Sequence, residues 1–273
     1  MKRRLGIVLL YAALALGVVV AVLPMLWMIS ASLMPTGEAN TFPPRFFPSA
    51  PTLEHYRTLF TRLNLSRYLL NSALLATAVT LLSVLINSMA GYAFAKLRFR
   101  GRDRLFRVLL AAMVIPAQVA MLPLFLLLKR MGMVNSYAGV VVPAAASIFG
   151  IFLVRQYALS IPDDLLQAAR IDGASEWRIY RSVVLPLLRP ILVTLAVFTF
   201  MGTWNDFMWP LIVLSDSAKY TLPVALANLS GEHVQDTELM MAGAVLTVLP
   251  VMVAFVAMQR YYIEGIMMGS VKG

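Results

Sequence analysis

The sequence predicts an all-α polytopic membrane protein with six transmembrane helices, and its composition is the first reason. Of 273 residues, 60% are hydrophobic and 13% are charged, whereas a soluble domain is usually about 45–50% apolar and about 25% charged. The 15 Gly and 15 Pro follow no repeat, which excludes collagen-like and low-complexity classes. With no Cys and 2 His, disulfides, thiolate metal sites and a histidine-rich metal centre are excluded as well.

Six apolar stretches are the second reason, because a helix needs about 20 apolar residues to cross the hydrocarbon core. We expect one transmembrane domain over residues 1–273. The first stretch follows a basic start, as a signal peptide does. Its run of about 25 apolar residues exceeds the roughly 7–15 of a signal sequence, so we expect a retained helix. The predicted spans cover residues 5–29, 67–95, 105–128, 137–158, 187–213 and 238–260.

The distribution of basic residues predicts the orientation. The chain carries 23 Lys and Arg against 13 Asp and Glu, a formal charge of +10. With a cytoplasmic amino terminus, most basic residues fall on the cytoplasmic side, as the positive-inside rule requires. An even number of spans then places both termini in the cytoplasm. The run from Lys96 to Arg104 is expected to bind anionic lipid headgroups rather than nucleic acid.

Two connections between the spans are long. Residues 30–66, on the outer side, are rich in Pro and predict an ordered irregular loop. Residues 159–186, on the cytoplasmic side, are amphipathic and charged. This second connection is predicted to form a cytoplasmic helix-turn-helix.

The first helix of this loop is predicted from its ends. Ser160 can cap the helix, and Pro162 fits its first turn. Asp163 and Asp164 favour the positive amino end. Gly173 supplies the left-handed residue that ends the helix.

The second helix is predicted to begin at Ser175 and to close at Pro186. Its spacing of three and four residues places an aromatic and apolar set on one face. That set is Trp177, Tyr180 and Val184.

The adjacent Ala168 and Ala169 leave a surface of low relief on the first helix, which a partner protein can approach closely. The mixed charges around them fit a protein groove better than lipid alone. The alternative is an amphipathic helix that lies on lipid headgroups, and the residues by themselves leave both interpretations open.

The loop sequence QAARIDGAS, followed by Leu185 and Pro186, resembles the signature loop of bacterial ABC-importer permeases. The family pattern is Glu-Ala-Ala, three residues, Gly, and a later Leu-Pro. Within the carbohydrate-uptake branch, the chain resembles the six-span permease of maltose-type systems. The stretches that resemble this branch are RYLLNS, GYAFAKLRFRG, IPAQVAMLPLF, GIFLVRQY, GTWNDFMWPLIVL and RYYIEGIMMGSVKG.

The resemblance implies a permease that passes a sugar or oligosaccharide across the bacterial inner membrane. It implies three kinds of partner besides membrane lipid: a second permease subunit, two ATPase subunits and an extracytoplasmic sugar-binding protein. A permease subunit different from this chain is expected, and a second copy of this chain is the alternative. ATP and Mg would bind to the ATPase subunits. We therefore expect no cofactor or metal on this chain, and no enzyme activity of its own.

The resemblance also assigns the loop to ATPase coupling. Gln167 departs from the usual Glu; it keeps a hydrogen bond but loses the charge assistance, which roughly halves its strength. The family's carboxyl tail also reaches towards the ATPase pair, and residues 265–273, with Gly269 and Gly273, would take that place. The implied coupling residues are Gln167, Ala168, Ala169, Asp172, Gly173 and Pro186.

The third span holds candidates for the sugar pathway. Pro116 and Pro123 each remove a helix hydrogen bond and predict a kink. Irregular backbone at membrane depth is tolerated where it is buried or lines a wet cavity, and Gln118 there can donate to and accept from a hydroxyl. The alternative is a kink that serves packing only.

Other polar residues lie within predicted spans. Asp206, beside Asn205, needs a polar setting because a lone carboxylate at the bilayer centre costs about 2.5–3.5 kcal/mol on insertion scales. An outer gate, a contact with the binding protein and a plain surface carboxylate remain open for this pair. Asn71 and Asn87 are expected to form interhelical hydrogen bonds.

Three other functions are less well supported. A hydrolase or an ATP-binding subunit would carry motifs such as GxSxG, HExxH or GxxxxGK[ST], and none occurs in the sequence. The main alternative, an ion-coupled secondary transporter, would need coupling acids near the midplane and inverted repeats, and only Asp206 is a candidate. A non-transporting scaffold would need neither a broken span nor a docking loop.

Overall fold

The computed structural model describes residues 2–232 and 236–268, and within these ranges it contains helices and no β-strand. The all-α prediction is therefore confirmed for the described residues. A π-helical turn covers Tyr180–Val184, and a 3₁₀ turn covers Ser217–Lys219. The helices are α1 (Lys2–Ala31), α2 (Glu54–Thr61), α3 (Leu65–Lys96), α4 (Arg102–Ala112), α5 (Ala117–Arg130), α6 (Tyr137–Ala144), α7 (Ile148–Leu159), α8 (Asp163–Ile171), α9 (Glu176–Ile179), α10 (Leu185–Leu187), α11 (Arg189–Trp204), α12 (Met208–Val213), α13 (Leu222–Glu232) and α14 (Thr237–Met268).

Several helices are long and apolar enough to cross a membrane. Three qualify alone: Gly6–Ala31, Leu65–Lys96 and Tyr137–Leu159. Two bent pairs also qualify, α4 with α5 and Glu176–Leu187 with α11, which raises the number among the described residues to as many as 5. The chain is therefore a polytopic membrane protein.

The third predicted span is broken at one of its two prolines. The axes of α4 and α5 differ by 105°, and Pro116 immediately precedes α5. Pro123 lies inside α5, which continues through it to Arg130. Pro123 leaves the Val119 carbonyl without its helical donor, yet α5 keeps its helical course through this position. The kink predicted at Pro116 is confirmed, and the one predicted at Pro123 produces no break.

The fifth predicted span, residues 187–213, is not one continuous helix. Helix α11 ends at Trp204, and α12 begins at Met208. Pro210 explains the interruption, because its ring in a continuous helix would clash with the carbonyl of Asp206. With the break, Pro210 falls in the first turn of α12, where its missing N–H costs nothing.

The chain folds as two compact units. The first combines the chain up to Arg67 with Ala225–Pro250. In this unit the Pro-rich loop is ordered by Glu38, whose carboxylate accepts from the Ser49 N–H at 3.0 Å and from the Arg45 guanidinium at 3.3 Å. The expectation of one transmembrane domain stays a prediction.

The second unit runs from Tyr68 to Val224 and continues from Val251. Helices α3 and α7 pack closely within it, along residues spaced four apart. A Cβ on Gly91 would lie 2.6 Å from the Val154 Cβ, and one on Gly150 would lie 2.6 Å from the Asn87 Nδ2. Because these contacts leave no room for a methyl group, the two helices interlock.

Asn87 also ties α3 to the start of α7 by hydrogen bonds. It donates to the Ser83 Oγ at 2.7 Å and accepts from the Ser147 N–H at 3.1 Å. Asn71 donates to the carbonyls of Ala218 and Tyr220. Both asparagines thus bond to other segments of the chain, as predicted for interhelical contacts, although the partners of Asn71 lie within a 3₁₀ turn and directly after it.

Candidate functional site

The segment between α7 and α11 forms two helices joined by a tight turn, and we call residues Asp163–Leu187 the elbow. Its first helix, α8, begins after Pro162, with Asp163 and Asp164 in the first turn. Ser160 does not cap it, because Ser160 ends α7 and its hydroxyl donates to the Tyr157 carbonyl at 2.7 Å. The predicted Ser160 cap is wrong, and the two carboxylates alone complement the positive end of α8.

The turn of the elbow is built on Gly173, which has a φ of +78°. The Ala174 N–H donates to the Ala169 carbonyl and the Gly173 N–H to the Arg170 carbonyl, each at 3.0 Å. These two bonds form a Schellman motif, which satisfies the last carbonyls of a helix. Asp172 precedes the glycine and is exposed. The role of Gly173 as the helix stop is confirmed.

The second helix begins at the predicted residue, because the Ser175 hydroxyl accepts from the Arg178 N–H at 3.4 Å. It does not close at Pro186, since the helix continues to Leu187 and bends by 77° into α11. The π-helical turn just before Pro186 accounts for this. A wider turn gives the proline ring room that a regular α-turn would deny it.

The predicted apolar face of the second helix is only partly buried. Tyr180 and Val184 are buried, as predicted, but the Trp177 side chain is 58% exposed. Its ring contacts that of Tyr180 with 5.4 Å between centroids. The prediction of one common face is therefore wrong for Trp177.

A buried apolar cluster holds the elbow against three membrane-type helices. Leu166 is the anchor of α8, with 1% of its surface exposed, and Ile179 is fully buried. Side chains from α3, α7 and α11 complete this cluster. They include Tyr92, Val154, Ala158, Leu188 and Leu195. The elbow is therefore packed onto the helices rather than tethered by flexible linkers.

Lys96, at the end of α3, binds the chain where α7 passes into α8. Its Nζ donates to the Ile161 carbonyl at 2.6 Å and to the Asp163 Oδ1 at 2.7 Å, and its side chain is only 6% exposed. The Lys96 hydrogen bond lowers the pKa of Asp163. The expectation that Lys96 binds lipid headgroups is therefore wrong.

A second ion pair bridges the turn. The Arg170 guanidinium donates to both oxygens of Glu176, at 2.7 and 3.3 Å. The Tyr92 hydroxyl on α3 donates to the same carboxylate at 3.1 Å. Hydrogen bonding from Arg170, chiefly, lowers the pKa of Glu176. Glu176 thus joins the two helices of the elbow to α3.

Sequence reasoning did not predict the contacts that these four polar residues make: Tyr92, Lys96, Arg170 and Glu176. The Arg170–Glu176 pair left a weak signal, because opposite charges flank a glycine turn at a separation of six residues. The Lys96–Asp163 pair left none, since 67 residues separate the partners.

The side of the elbow that faces away from the buried cluster is apolar and low in relief. Exposed fractions are 47% for Leu165 and 86% for Ile171. Ala168 and Gln167 are also exposed, whereas Ala169 packs partly against the buried cluster. The predicted low-relief surface therefore centres on Ala168 alone.

Gln167 also lines a hollow of about 890 Å³ between α8 and the chain that follows α3. Arg98, Arg102 and Arg170 line the same hollow. Asp163 and Glu176 line it as well, paired with Lys96 and Arg170, so a group at position 167 lies in mixed charges with an excess of basic residues.

The predicted pathway residues lie at helix breaks. Gln118 is exposed in the first turn of α5, two residues after Pro116. Asn205 donates to the Met201 carbonyl at 2.9 Å, and the Asp206 carboxylate accepts from the Trp209 N–H at 3.3 Å. Gly269 and Gly273 lie outside the described residues.

A smaller hollow, of about 320 Å³, supplies hydroxyl groups that sequence reasoning missed. Ser83, Ser147, Thr199 and Thr203 line it, beside the ring of Phe198. The spacing of Thr199 and Thr203 on one helix face was the available signal. Gln118 and Asp206 are not part of its lining.

Together these features define an all-helical transport component: apolar helices of membrane length, broken spans and an elbow packed onto their ends. The chain belongs to the family described as binding-protein-dependent transport system inner membrane component, which it matches over residues 83–267. It is a transport permease of an ABC importer, as the sequence resemblance predicted.

Comparison with individual proteins gives the same family. The arabinooligosaccharides transport system permease protein AraQ of Halalkalibacterium halodurans is 38% identical, over 93% of this chain and 92% of that protein. The lactose transport system permease protein LacG of Rhizobium radiobacter is 31% identical, over 100% and 98%. A bacterial ABC transporter that imports the acidic polysaccharide alginate has the same fold, with a TM-score of 0.85, 24% identity, and coverage of 96% and 98%.

Proposed function

We propose that this permease carries a sugar or oligosaccharide into the cytoplasm and that the elbow couples it to separate ATPase subunits. The observation that carries the proposal is the two-sided structure of α8. Leu166 is buried among the spans, while Leu165 and Ile171 are exposed on the other side. A force applied to the exposed side is thereby passed to the helices behind it.

The proposed topology has six spans and both termini in the cytoplasm. Five correspond to α1, α3, the α4–α5 pair, α6 with α7, and α11 with α12. The sixth begins in the apolar stretch Thr237–Val253. This orientation places the elbow and most of the 23 basic residues on the cytoplasmic side.

The proposed partners are a different permease subunit, a binding protein and two ATPase subunits, and ATP with Mg would bind to the latter. Gln167, Ala168, Ala169, Asp172 and Gly173 would contact an ATPase, with Pro186 shaping the second helix. Gly269 and Gly273 would contact the ATPase pair from the tail. Membership of a binding-protein-dependent family supports these partners and gives no support to an ion-coupled mechanism.

The test uses single cysteines, which is straightforward because the sequence contains no Cys. Ala168→Cys should form a crosslink to an ATPase subunit in membranes. Arg100→Cys, exposed in the neighbouring turn before α4, is the matched control and should crosslink far less. A crosslink from Ala168→Cys to phospholipid alone would show that the elbow is an interfacial helix.

The pathway is proposed to run past the hydroxyl-lined hollow and past Gln118. Within the described lining the hollow contains hydroxyl, aliphatic and aromatic groups and no charged side chain. Such a wall favours an uncharged sugar over an acidic one, because an acidic sugar would need a basic partner. AraQ and LacG are named for uncharged sugars, which supports the same substrate class.

Uptake measurements test this pathway. Thr199→Val and Gln118→Leu should each lower uptake of the sugar while the purified complex keeps its subunits. Thr247→Val is a matched control, since the Thr247 hydroxyl donates to the Gly243 carbonyl within α14 and Thr247 is outside the lining of this hollow. Unchanged uptake in Thr199→Val would remove the hollow from the pathway, and unchanged uptake in Gln118→Leu would make Gln118 a packing residue.

A further inference from the structure

A separate hollow lies where the elbow meets α11. Its volume is about 450 Å³, and its walls are formed by α3 on one side and by residues 181–196 on the other. Most of the lining is aliphatic, with Leu81, Val84, Leu192 and Ala196 contributing. Two arginines, Arg181 and Arg189, complete the lining at its elbow end.

These arginines differ from Lys96, Arg155 and Arg170, which have partners, and from Arg178, which does not line the hollow. Lys96 and Arg170 each bind a carboxylate, and Arg155 lies over the Phe106 ring at 4.1 Å. Among the side chains that the structure describes, neither Arg181 nor Arg189 has an ion pair or a hydrogen bond. Both guanidiniums are therefore free to bind an anion at the mouth of an apolar hollow.

The combination defines the chemistry of the occupant. Two guanidiniums match the phosphate of a lipid headgroup, which they can bind through several charge-assisted hydrogen bonds. The aliphatic wall matches an acyl chain. Basic pockets between membrane helices on the cytoplasmic side typically bind anionic headgroups such as that of cardiolipin.

We propose that this hollow binds an anionic phospholipid, with its phosphate at Arg181 and Arg189 and an acyl chain along α3 and α11. The helix bends by 77° at Leu188, between the two arginines. The bound phosphate therefore contacts both arms of the bend and stabilises the angle between elbow and span. Anionic lipid would then regulate the stability of the angle between the elbow and α11.

The test is native mass spectrometry of the purified importer assembly after exchange into phosphatidylcholine with added phosphatidylglycerol or cardiolipin. The wild-type assembly should retain the anionic lipid and release phosphatidylcholine. Arg181→Gln with Arg189→Gln should weaken retention about thirtyfold, because each basic residue near an anionic surface contributes about a fivefold factor. Arg57→Gln with Arg62→Gln removes the same charge from exposed positions outside this hollow and outside the Lys96–Arg104 run, and should retain the lipid.

A second variant keeps the charges and fills the hollow. Ala196→Phe should also lower lipid retention, and it provides an independent measurement if the arginine variant does not assemble. Equal retention by the wild type and the arginine variant would overturn the proposal, as would equal binding of phosphatidylcholine. A crosslink from Val193→Cys to the second permease would show instead that the hollow is a protein interface. These readouts do not depend on transport, so they are independent of the proposed sugar pathway.

Discussion

Lys96 and Asp163 form the ion pair that fixes the start of the elbow, with 2.7 Å between Nζ and Oδ1. The lysine is almost buried and the aspartate is largely exposed, with side-chain exposures of 6% and 67%. The same ammonium group binds the Ile161 carbonyl. The two partners therefore contribute unequally, and the lysine matters more.

We predict that Lys96→Met lowers the ratio of transport to ATP hydrolysis severalfold, because it leaves the carbonyls of the α7–α8 connection without their donor. Asp163→Asn should have a much smaller effect, since an exposed ion pair contributes little. Both variants are measured in reconstituted vesicles, with thermal unfolding of the complex in parallel. Equal loss in the two variants would contradict the dominant role of Lys96.

Gly173→Val should uncouple transport from ATP hydrolysis. A Cβ at this position would meet nothing within 4 Å, so the penalty comes from the positive φ and is about 1–2 kcal/mol for an L-residue. Asn tolerates this region better than a β-branched residue, so Gly173→Asn should retain most of the coupling. Full uptake and full ATPase stimulation in Gly173→Val would show that the turn does not transmit force.

The Arg170–Glu176 bridge should weaken in acid. Because the folded pKa of Glu176 lies below its ordinary value of about 4.3, its stabilising effect is complete above about pH 4.3 and is lost as the pH falls through the folded pKa. Hydrogen exchange of the amides from Gly173 to Arg178, corrected for intrinsic rates, should show protection that decreases in this range.

The variant Glu176→Gln is the control for that pH dependence. It should show weaker protection at neutral pH and a smaller change on acidification. A change on acidification that is as large in Glu176→Gln as in the wild type would exclude Glu176 as a determinant of the turn.

Gln167→Glu should be tolerated or should strengthen ATPase association. The introduced carboxylate would line a hollow that it shares with Arg98, Arg102 and Arg170, and it would regain the charge assistance that glutamine lacks. Retention of the ATPase during affinity purification measures this, with Asp164→Asn as a charge control on the same helix. A clear loss of assembly in Gln167→Glu would argue against the proposed docking geometry.

Features set by local chemistry were predictable from the sequence. Gly173 ended its helix because only a residue that tolerates positive φ completes the Schellman motif, and Ser175 capped the next helix for equally local reasons. Ser160 was misassigned because a hydroxyl between two helices can serve either one, and tertiary packing decides which.

Features that depend on long-range packing were not predictable in this way. The π-turn at Tyr180–Val184 has no simple periodicity in the sequence, and the exposure of Trp177 in the preceding α9 is set by tertiary packing. The helix break at Asp206 could have been predicted from Pro210, which lies four residues later. The hydroxyl-lined hollow could not have been predicted, because its residues come from α3, α11 and the chain around Ser147.

The interlocked glycines of α3 and α7 restrict how this permease can move. With Val154 against Gly91 and Asn87 against Gly150, neither helix can rotate past its neighbour without a collision. The two helices are therefore expected to tilt together as one rigid unit. The elbow packs directly on this unit, so a displacement of the elbow is not absorbed by a flexible connection. A displacement of the elbow would therefore move α3 and α7 together within the bilayer.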